Sequence, residues 1–216
     1  MMNYNLLLRL ISGMILCTVF LVSIFFIRPV FYIVLYLIAT LMLSEWYNMT
    51  KTSTRHLMLG LILIPSAIIS LMLISNIDQN GWLLVTYFCF IWSVDCMAMV
   101  GGKLIGGIKF APKISPNKTV SGLFTGVLSA VITVNLLMLL PQYWVPKLPA
   151  LSIIKLSSYV LILGLLAQTS DLYVSVFKRK FNIKDTGTII PGHGGMLDRF
   201  DSIILTAPIV AIYFIV

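Results

Sequence analysis

The aspartates in the last quarter of the chain are the residues best suited to chemistry. Asp171, Asp198 and Asp201 lie at the ends of two strongly apolar stretches, where a carboxylate is costly to place. Asp198 and Asp201 are three residues apart, so on a helix they would share one face. Three carboxylates at neighbouring helix ends can bind a hard cation such as Mg²⁺, which prefers oxygen ligands. The alternative is that these acids only pair with Arg199, Lys178 or Arg179 at the membrane interface.

A basic, glycine-rich segment separates these aspartates. Residues 187–195 include four glycines, and backbone N–H groups in such a segment can approach an anion closely. The cationic side chains that precede it are Lys178, Arg179, Lys180 and Lys184. Carboxylates for a metal, beside amides and cations for phosphate, predict phosphoryl or nucleotidyl transfer. His193 is interpreted as a ligand or loop organiser, with direct acid–base catalysis as the alternative, since a phosphate nucleophile needs no base.

A second polar loop precedes the fifth apolar segment. Its donors are Ser115, Asn117, Lys118 and Thr119, which suit a phosphate or ribose at a helix start. Its upstream glycines, 101–102 and 106–107, lack the Walker A spacing, so they either serve this site or permit close helix packing. Asp95, one or two turns before the loop, is either a polar contact inside the bundle or a further site carboxylate.

The elements that must position these residues are membrane helices. The chain is 59% hydrophobic and only 10% charged, whereas soluble domains carry about 25% charged residues. The apolar segments are 6–27, 30–46, 57–75, 81–100, 120–140, 152–174 and 202–216. They predict an all-α, polytopic helix bundle with about seven transmembrane helices, and the first segment is long for the alternative of a cleaved signal peptide. We expect one membrane domain over 1–216, with N-terminal helices in 1–90 and catalytic helices and loops in 91–216.

The basic residues predict the orientation. With seven spans, 12 of the 15 Lys and Arg residues fall on one side, with the N-terminus and the loops 47–56, 101–119 and 175–201. The positive-inside rule places that side in the cytoplasm, so we expect a multi-pass protein of the cytoplasmic (inner) membrane whose active site faces the cytoplasm. Basic residues between apolar segments favour lipid or phosphate over nucleic acid as the partner. A transporter would place paired acids at mid-membrane, whereas these acids cluster at one interface.

The segment 175–201 resembles the signature of the phosphatidate cytidylyltransferase (CDP-diacylglycerol synthase) family. The matching positions are Ser175, Lys178, Arg179, Lys184, Asp185, Pro191, His193, Gly194, Gly195, Asp198, Arg199 and Asp201. Ser170-Asp171 and the segment 111–119 fit as well, so the resemblance covers about 92–201. Two features depart from it: Cys96 follows Asp95 where the family commonly has Thr or Ser, and Glu45-Trp46 matches the family's acidic–aromatic pair so weakly that a helix-end role is favoured.

The resemblance implies a reaction in which CTP and phosphatidate give CDP-diacylglycerol and pyrophosphate, for phospholipid biosynthesis. It implies Mg²⁺ held by Asp171, Asp198 and Asp201, which with Lys184 and Asp185 form the catalytic set. The implied substrate-binding residues are Ser115, Asn117, Lys118, Thr119, Lys178, Arg179, His193, Gly194, Gly195 and Arg199. A homodimer and a second, monovalent cation (K⁺) are also implied. The alternative is a related cytidylyltransferase or kinase acting on another lipid.

Overall fold

The protein is helical throughout the part of the chain that the structure describes. The computed structural model describes residue 14 and residues 17–140, 152–189 and 194–215. Residues 17–25 are helical. The helices that follow are α1 (Arg28–Thr50), α2 (Thr54–Ile77), α3 (Trp82–Leu104), α4 (Val120–Leu137), α5 (Ile153–Lys180), α6 (Leu197–Phe200) and α7 (Ile203–Ile215). An isolated bridge pairs Lys109 with Thr119. The predicted all-α class is confirmed.

Five of these helices, α1 to α5, are long and apolar enough to cross a membrane. A helix satisfies its own backbone hydrogen bonds, which a spanning segment must do in lipid. The five helices correspond to the second to sixth predicted segments, and the chain is a multi-pass membrane protein. The shorter apolar helix α7 corresponds to the seventh predicted segment, and the first lies partly outside the described residues. The total of about seven spans stays a prediction.

The chain divides into two compact units. The first comprises residues 1–73 and 177–216, and the second comprises residues 74–176. The first unit therefore holds α1, α6 and α7, whereas the second holds α3 and α4. The predicted boundary at residue 90 between N-terminal and catalytic helices stays a prediction.

In the second unit, α3 and α4 approach closely because glycines lie at their contact. A Cβ atom at Gly122 would lie 2.5 Å from the carbonyl oxygen of Ala98, and one at Gly126 would lie 2.7 Å from that of Val94. The Ser129 hydroxyl donates across the same contact to the Ser93 carbonyl, at 2.9 Å. Small residues and hydroxyls of this kind stabilise helix pairs in membranes. On α3, Gly101 meets the Thr125 side chain in the same way, which favours the packing interpretation for this glycine.

In the first unit, Trp46 joins α1 to α2. Its indole is fully buried, and its Nε1 donates to the His56 carbonyl at 2.9 Å. Gly60 leaves room for the ring, since a Cβ there would overlap it. The ring also packs against Phe177, with the centroids 5.1 Å apart. These contacts fix the part of α1 that carries the neighbouring Glu45.

Asp78 organises the start of α3 in the second unit. Its Oδ2 accepts from Leu83 N at 2.7 Å, and its Oδ1 accepts from Asn80 N at 3.0 Å. The first amides of a helix have no partner within the helix itself, and Asp78 supplies one. This buried acid therefore has a structural explanation.

Candidate active site

In the first unit, Lys178 and Asp198 form a nearly buried ion pair. Lys178, in the last turns of α5, donates from Nζ to Asp198 Oδ1 at 2.8 Å, and the two side chains are only 10% and 7% exposed. The second oxygen, Oδ2, accepts from the amides of Thr186 at 2.9 Å and Gly195 at 3.1 Å. The structure therefore brings together three predicted site residues, Lys178, Gly195 and Asp198.

These contacts keep Asp198 ionised. Burial alone would raise the pKa of its carboxyl, but the hydrogen bond and charge of Lys178 outweigh that effect, with help from the two amides. The net result is a pKa below the usual aspartate value, as expected when donors surround the charged form. A carboxylate that is charged at neutral pH is what a ligand for a hard cation requires.

The chain reaches this arrangement through Gly194, which has a φ of +87°. That left-handed conformation is readily adopted by glycine and strained for most other residues. It turns the backbone so that the next amide, that of Gly195, points at Asp198. The predicted anion contact of the glycine-rich segment is thus observed with a carboxylate of the protein, and its contact with a substrate phosphate stays a prediction.

Glu45 is a part of this arrangement to which the sequence analysis gave too little weight. Its side chain is buried, 3% exposed, and extends from α1 into the segment around α6. Oε1 accepts from Met196 N and Oε2 from Leu197 N, each at 2.8 Å, and Oε2 also accepts from the Thr186 hydroxyl at 2.8 Å. The helix-end role favoured from the sequence does not describe these contacts, because the carboxylate binds a segment far along the chain. Its weak match to the family's acidic–aromatic pair was the one signal available.

In the second unit, Lys118 and Asp171 form the other ion pair. Lys118 Nζ lies 2.7 Å from Asp171 Oδ2, and the Ser175 hydroxyl donates to Asp171 Oδ1 at 3.3 Å. The loop before α4 presents Lys118, since it closes on itself through Val120 N donating to the Ile108 carbonyl at 2.9 Å. The structure therefore joins a residue of the predicted phosphate loop to one of the predicted metal ligands.

Gln168, a residue outside the predicted site, connects this pair to Asp95. Its buried side chain accepts from Lys118 Nζ through Oε1 at 3.2 Å and donates through Nε2 to Asp95 Oδ1 at 3.5 Å. Asp95 therefore has a polar partner that also contacts Lys118, so a contact inside the bundle and a further site carboxylate both stay open as interpretations. Glutamine is common in polar surroundings of many kinds, so nothing at position 168 marked it as part of a site.

We expect Gln168→Leu to lower the catalytic rate about tenfold, because a small misplacement of a group that positions substrate can cost up to about 10²-fold and Lys118 is a predicted substrate-binding residue. Leucine keeps the apolar bulk but removes the acceptor for Lys118 and the donor for Asp95. The comparison is with Gln168→Glu, which keeps an acceptor for Lys118 but loses the donor. The rate per folded molecule, with folding checked by thermal melting, is the measurement. A wild-type rate in the leucine variant would show that the contact with Lys118 has no part in catalysis.

The other predicted site residues take simpler positions. Thr119 is buried and begins α4, where its hydroxyl accepts from Gly122 N at 3.1 Å. Ser115 is half-buried in the same loop and Asn117 is exposed.

Asp201 is 9% exposed and its Oδ1 accepts from Ser202 N at 2.8 Å. Arg179 donates to the Ile183 carbonyl at 3.0 Å. The exposed predicted residues of the C-terminal segment are Arg179, Lys184, Asp185 and Arg199.

Two predictions are left open by these positions. His193, for which a ligand, organising or acid–base role was predicted, lies outside the described residues, as do Pro191 and Gly192. Within each unit, the described residues include no ready-made group of three or more His, Cys, Asp and Glu side chains for a metal ion. The assignment of Asp171, Asp198 and Asp201 as metal ligands therefore stays a prediction.

Comparison with known proteins identifies the family. The profile of the Cytidylyltransferase family matches residues 53–216, which is most of the chain. The chain is 53% identical over 205 residues to the phosphatidate cytidylyltransferase of Rickettsia bellii, covering 95% of this chain and 89% of that one. It is equally 53% identical over 205 residues to the Rickettsia felis protein of the same name, with 95% and 90% covered. The Bacillus subtilis protein of that name is 41% identical over 143 residues, with 66% and 50% covered. The chain therefore belongs to the phosphatidate cytidylyltransferase family and is a nucleotidyltransferase enzyme.

Proposed function

We propose that this enzyme transfers CMP from CTP to phosphatidate, giving CDP-diacylglycerol and pyrophosphate in a Mg²⁺-dependent reaction. The observation that carries the proposal is the nearly buried Lys178–Asp198 pair, held by the Thr186 and Gly195 amides in the segment that matches the family signature. A lysine held this firmly suits the binding of a phosphate, and an ionised aspartate suits the binding of the Mg²⁺ that accompanies the phosphate. Relatives at 53% identity carry the name of this reaction.

In the proposed reaction, a phosphate oxygen of phosphatidate attacks the α-phosphorus of CTP. A new P–O bond forms, and the bond from the α-phosphorus to the oxygen that bridges it to the β-phosphate breaks, so that pyrophosphate leaves. Phosphatidate is already ionised at neutral pH, so the step needs no general base. Both substrates are anions, and Lys118, Lys178 and Arg199 would reduce their mutual repulsion. The rate would then depend on holding the two phosphates in line.

The carboxylates present suit Mg²⁺. Asp171 and Asp198 each already hold a cation, the ammonium of a lysine, at 2.7 and 2.8 Å, and Asp198 is ionised. We propose that these two aspartates and Asp201 supply ligands to Mg²⁺, with K⁺ as a second cation. Bound Mg²⁺ would polarise the α-phosphate and neutralise charge on the departing pyrophosphate.

The reaction would take place at the cytoplasmic face of the inner membrane. CTP is soluble, whereas phosphatidate reaches an enzyme laterally through the bilayer, so a site at the interface serves both. The excess of basic residues on the side of the loops 101–119 and 175–201 supports this orientation. We also propose that the enzyme acts as a homodimer. Mass measurement of the protein in detergent would test this.

The test is release of pyrophosphate by purified protein in detergent micelles that contain phosphatidate. We expect release that needs both CTP and Mg²⁺, is abolished by EDTA and returns when Mg²⁺ is added back. Diacylglycerol in place of phosphatidate is the matched control, since it keeps the acyl chains but lacks the attacking phosphate. If product forms only with another lipid phosphate, that lipid and not phosphatidate is the acceptor. Release of pyrophosphate without Mg²⁺ would contradict the metal assignment.

A further inference from the structure

The Glu45 carboxylate is buried and fully hydrogen-bonded. It is 3% exposed, and its donors are one hydroxyl and two backbone amides. Removing a carboxylate from water is costly unless its oxygens are well hydrogen-bonded. Both of its oxygens accept here, so the charge is satisfied by the segment around it. The hydrogen bonds that offset the cost of desolvation also hold that segment in place.

The glycines of the signature make room for this carboxylate. A Cβ atom at Gly187 would lie 2.8 Å from Glu45 Oε1, and one at Gly195 would lie 2.5 Å from Oε2. Either contact is too short for a real side chain, so any larger residue would displace Glu45. Gly187 faces one carboxylate oxygen of Glu45 and Gly195 faces the other, together with the Thr186 hydroxyl. Their positions therefore follow the shape of Glu45.

Thr186 links Glu45 to Asp198. Its hydroxyl oxygen lies 2.8 Å from Glu45 Oε2 and 3.1 Å from Asp198 Oδ2, and its backbone amide donates to the same Asp198 oxygen at 2.9 Å. Glu45 also holds the amides of Met196 and Leu197, directly before Asp198 in the chain. Movement of Glu45 would therefore move Asp198 through both routes.

We infer that Glu45 is a positioning residue of the active site, holding Asp198 in place for its cation. The inference rests on the proposed function for the role of Asp198. Glu45 lies in α1, outside the signature segment 175–201, and through its hydrogen bonds it would hold residues of that segment in place. Glu45 itself would touch neither substrate.

The test is Glu45→Gln, which keeps size but has only one acceptor oxygen where Glu45 uses two. We expect kcat to fall about 10- to 100-fold and the half-saturating Mg²⁺ concentration to rise about tenfold, while KM for CTP changes less than about threefold. The rise in melting temperature that Mg²⁺ causes in the wild-type protein should shrink in parallel. Thr186→Val should reproduce these effects because it removes the linking hydroxyl. Thr186→Ser keeps that hydroxyl and should show the wild-type values.

Asp78→Asn is the matched control. Asp78 is also a buried carboxylate whose two oxygens accept from backbone amides, but it lies at the start of α3. We expect it to lower the melting temperature while leaving kcat and the Mg²⁺ response of the folded protein unchanged. If Glu45→Gln behaves like Asp78→Asn, Glu45 only stabilises the fold and the inference is wrong.

The outcomes separate this inference from the proposed function. If wild-type protein makes no product but is stabilised by Mg²⁺, the reaction is wrong and the variants still decide the role of Glu45 by melting. If Mg²⁺ does not stabilise the wild-type protein, there is no cation site for Glu45 to position and the inference fails. If Glu45→Gln does not fold, the comparison of Thr186→Val with Thr186→Ser decides.

Discussion

Asp198→Asn is expected to reduce pyrophosphate release by about 10³-fold or more, the largest effect of any single change considered. Losing one preorganised donor that stabilises charge in a transition state typically costs about 10²- to 10³-fold, and Asp198 organises several contacts at once. Its two oxygens receive Lys178 and the amides of Thr186 and Gly195. Asparagine has one acceptor oxygen and no charge, so it can neither bind Mg²⁺ as a carboxylate does nor satisfy all of these donors. The measurement is the rate at saturating CTP and Mg²⁺.

A control variant separates the loss of catalytic activity from the destabilisation caused by an unpaired Lys178. Asp198→Asn leaves the ammonium of Lys178 nearly buried without its counterion, which is destabilising by itself. Lys178→Met combined with Asp198→Asn removes both charges, so we expect it to regain much of the lost thermal stability without regaining activity. Activity that returns with stability in the double variant would show that Asp198 acts only through folding. Full activity in the single variant would remove Asp198 from the metal site.

Gly126→Ala is expected to destabilise the protein by about 1–3 kcal/mol, the usual range for overpacking a tight contact. The added methyl group would lie 2.7 Å from the Val94 carbonyl oxygen and 2.9 Å from the Ala98 side chain. A backbone carbonyl within a helix has little room to move, so α3 and α4 would have to separate. The loop that presents Lys118 begins at the end of α3 and leads into α4, so activity should fall together with stability. Thermal unfolding in detergent measures the change.

Gly164→Ala supplies the comparison in the same unit. A Cβ at Gly164 would lie 3.5 Å from Val127, an ordinary contact. Because alanine favours a helix over glycine by up to about 1 kcal/mol, we expect this variant to melt at or above the wild-type temperature. If Gly126→Ala were equally stable, α3 and α4 would have room to adjust, and glycine would not be needed at their contact.

The architecture was largely predictable from the sequence because lipid imposes a simple requirement. A spanning segment must be long, apolar and helical, and the predicted segments 30–46, 57–75 and 81–100 correspond to α1, α2 and α3. The helix ends were less predictable, since a helix continues past its apolar core when polar residues find partners. Thus α5 extends to Lys180, beyond the predicted end at 174, and carries Lys178 to Asp198.

The charged residues of the site were predictable, but their partners only in part: the ion-pair interpretation named Lys178, the partner of Asp198, but did not name Lys118, the partner of Asp171. The residue types at Lys118, Asp171, Lys178 and Asp198 indicated phosphate and metal chemistry, and the structure shows each of them in an ion pair. Which lysine meets which aspartate depends on helix packing that periodicity does not encode. Glu45 was underestimated for the same reason. Its partners lie more than 140 positions away along the chain, and an acid near a helix end has a common local explanation.

The glycines show how one residue type serves different purposes. From the sequence, the glycines of residues 187–195 suggested close approach of the backbone to a phosphate, and those of the second polar loop either that or close helix packing. Gly101 of the second loop packs against Thr125, which favours the packing alternative, whereas Gly187 leaves space for Glu45 and Gly195 leaves space for Glu45 and the Thr186 hydroxyl. A missing side chain indicates that something lies close by, but its identity is visible only in three dimensions.

The Lys118–Asp171 pair has a consequence for how the protein is made. Asp171 belongs to α5, which is long and apolar enough to cross a membrane, and a lone aspartate raises the cost of insertion, by about 2.5–3.5 kcal/mol at the centre of a span and by less toward its end. Lys118 precedes Asp171 in the chain, so the ribosome has already released it when α5 emerges. The Lys118 ammonium is therefore already present as a counterion for Asp171 when α5 enters the membrane. Loss of Lys118 would then be felt during synthesis, as poor insertion of α5, before any substrate is met.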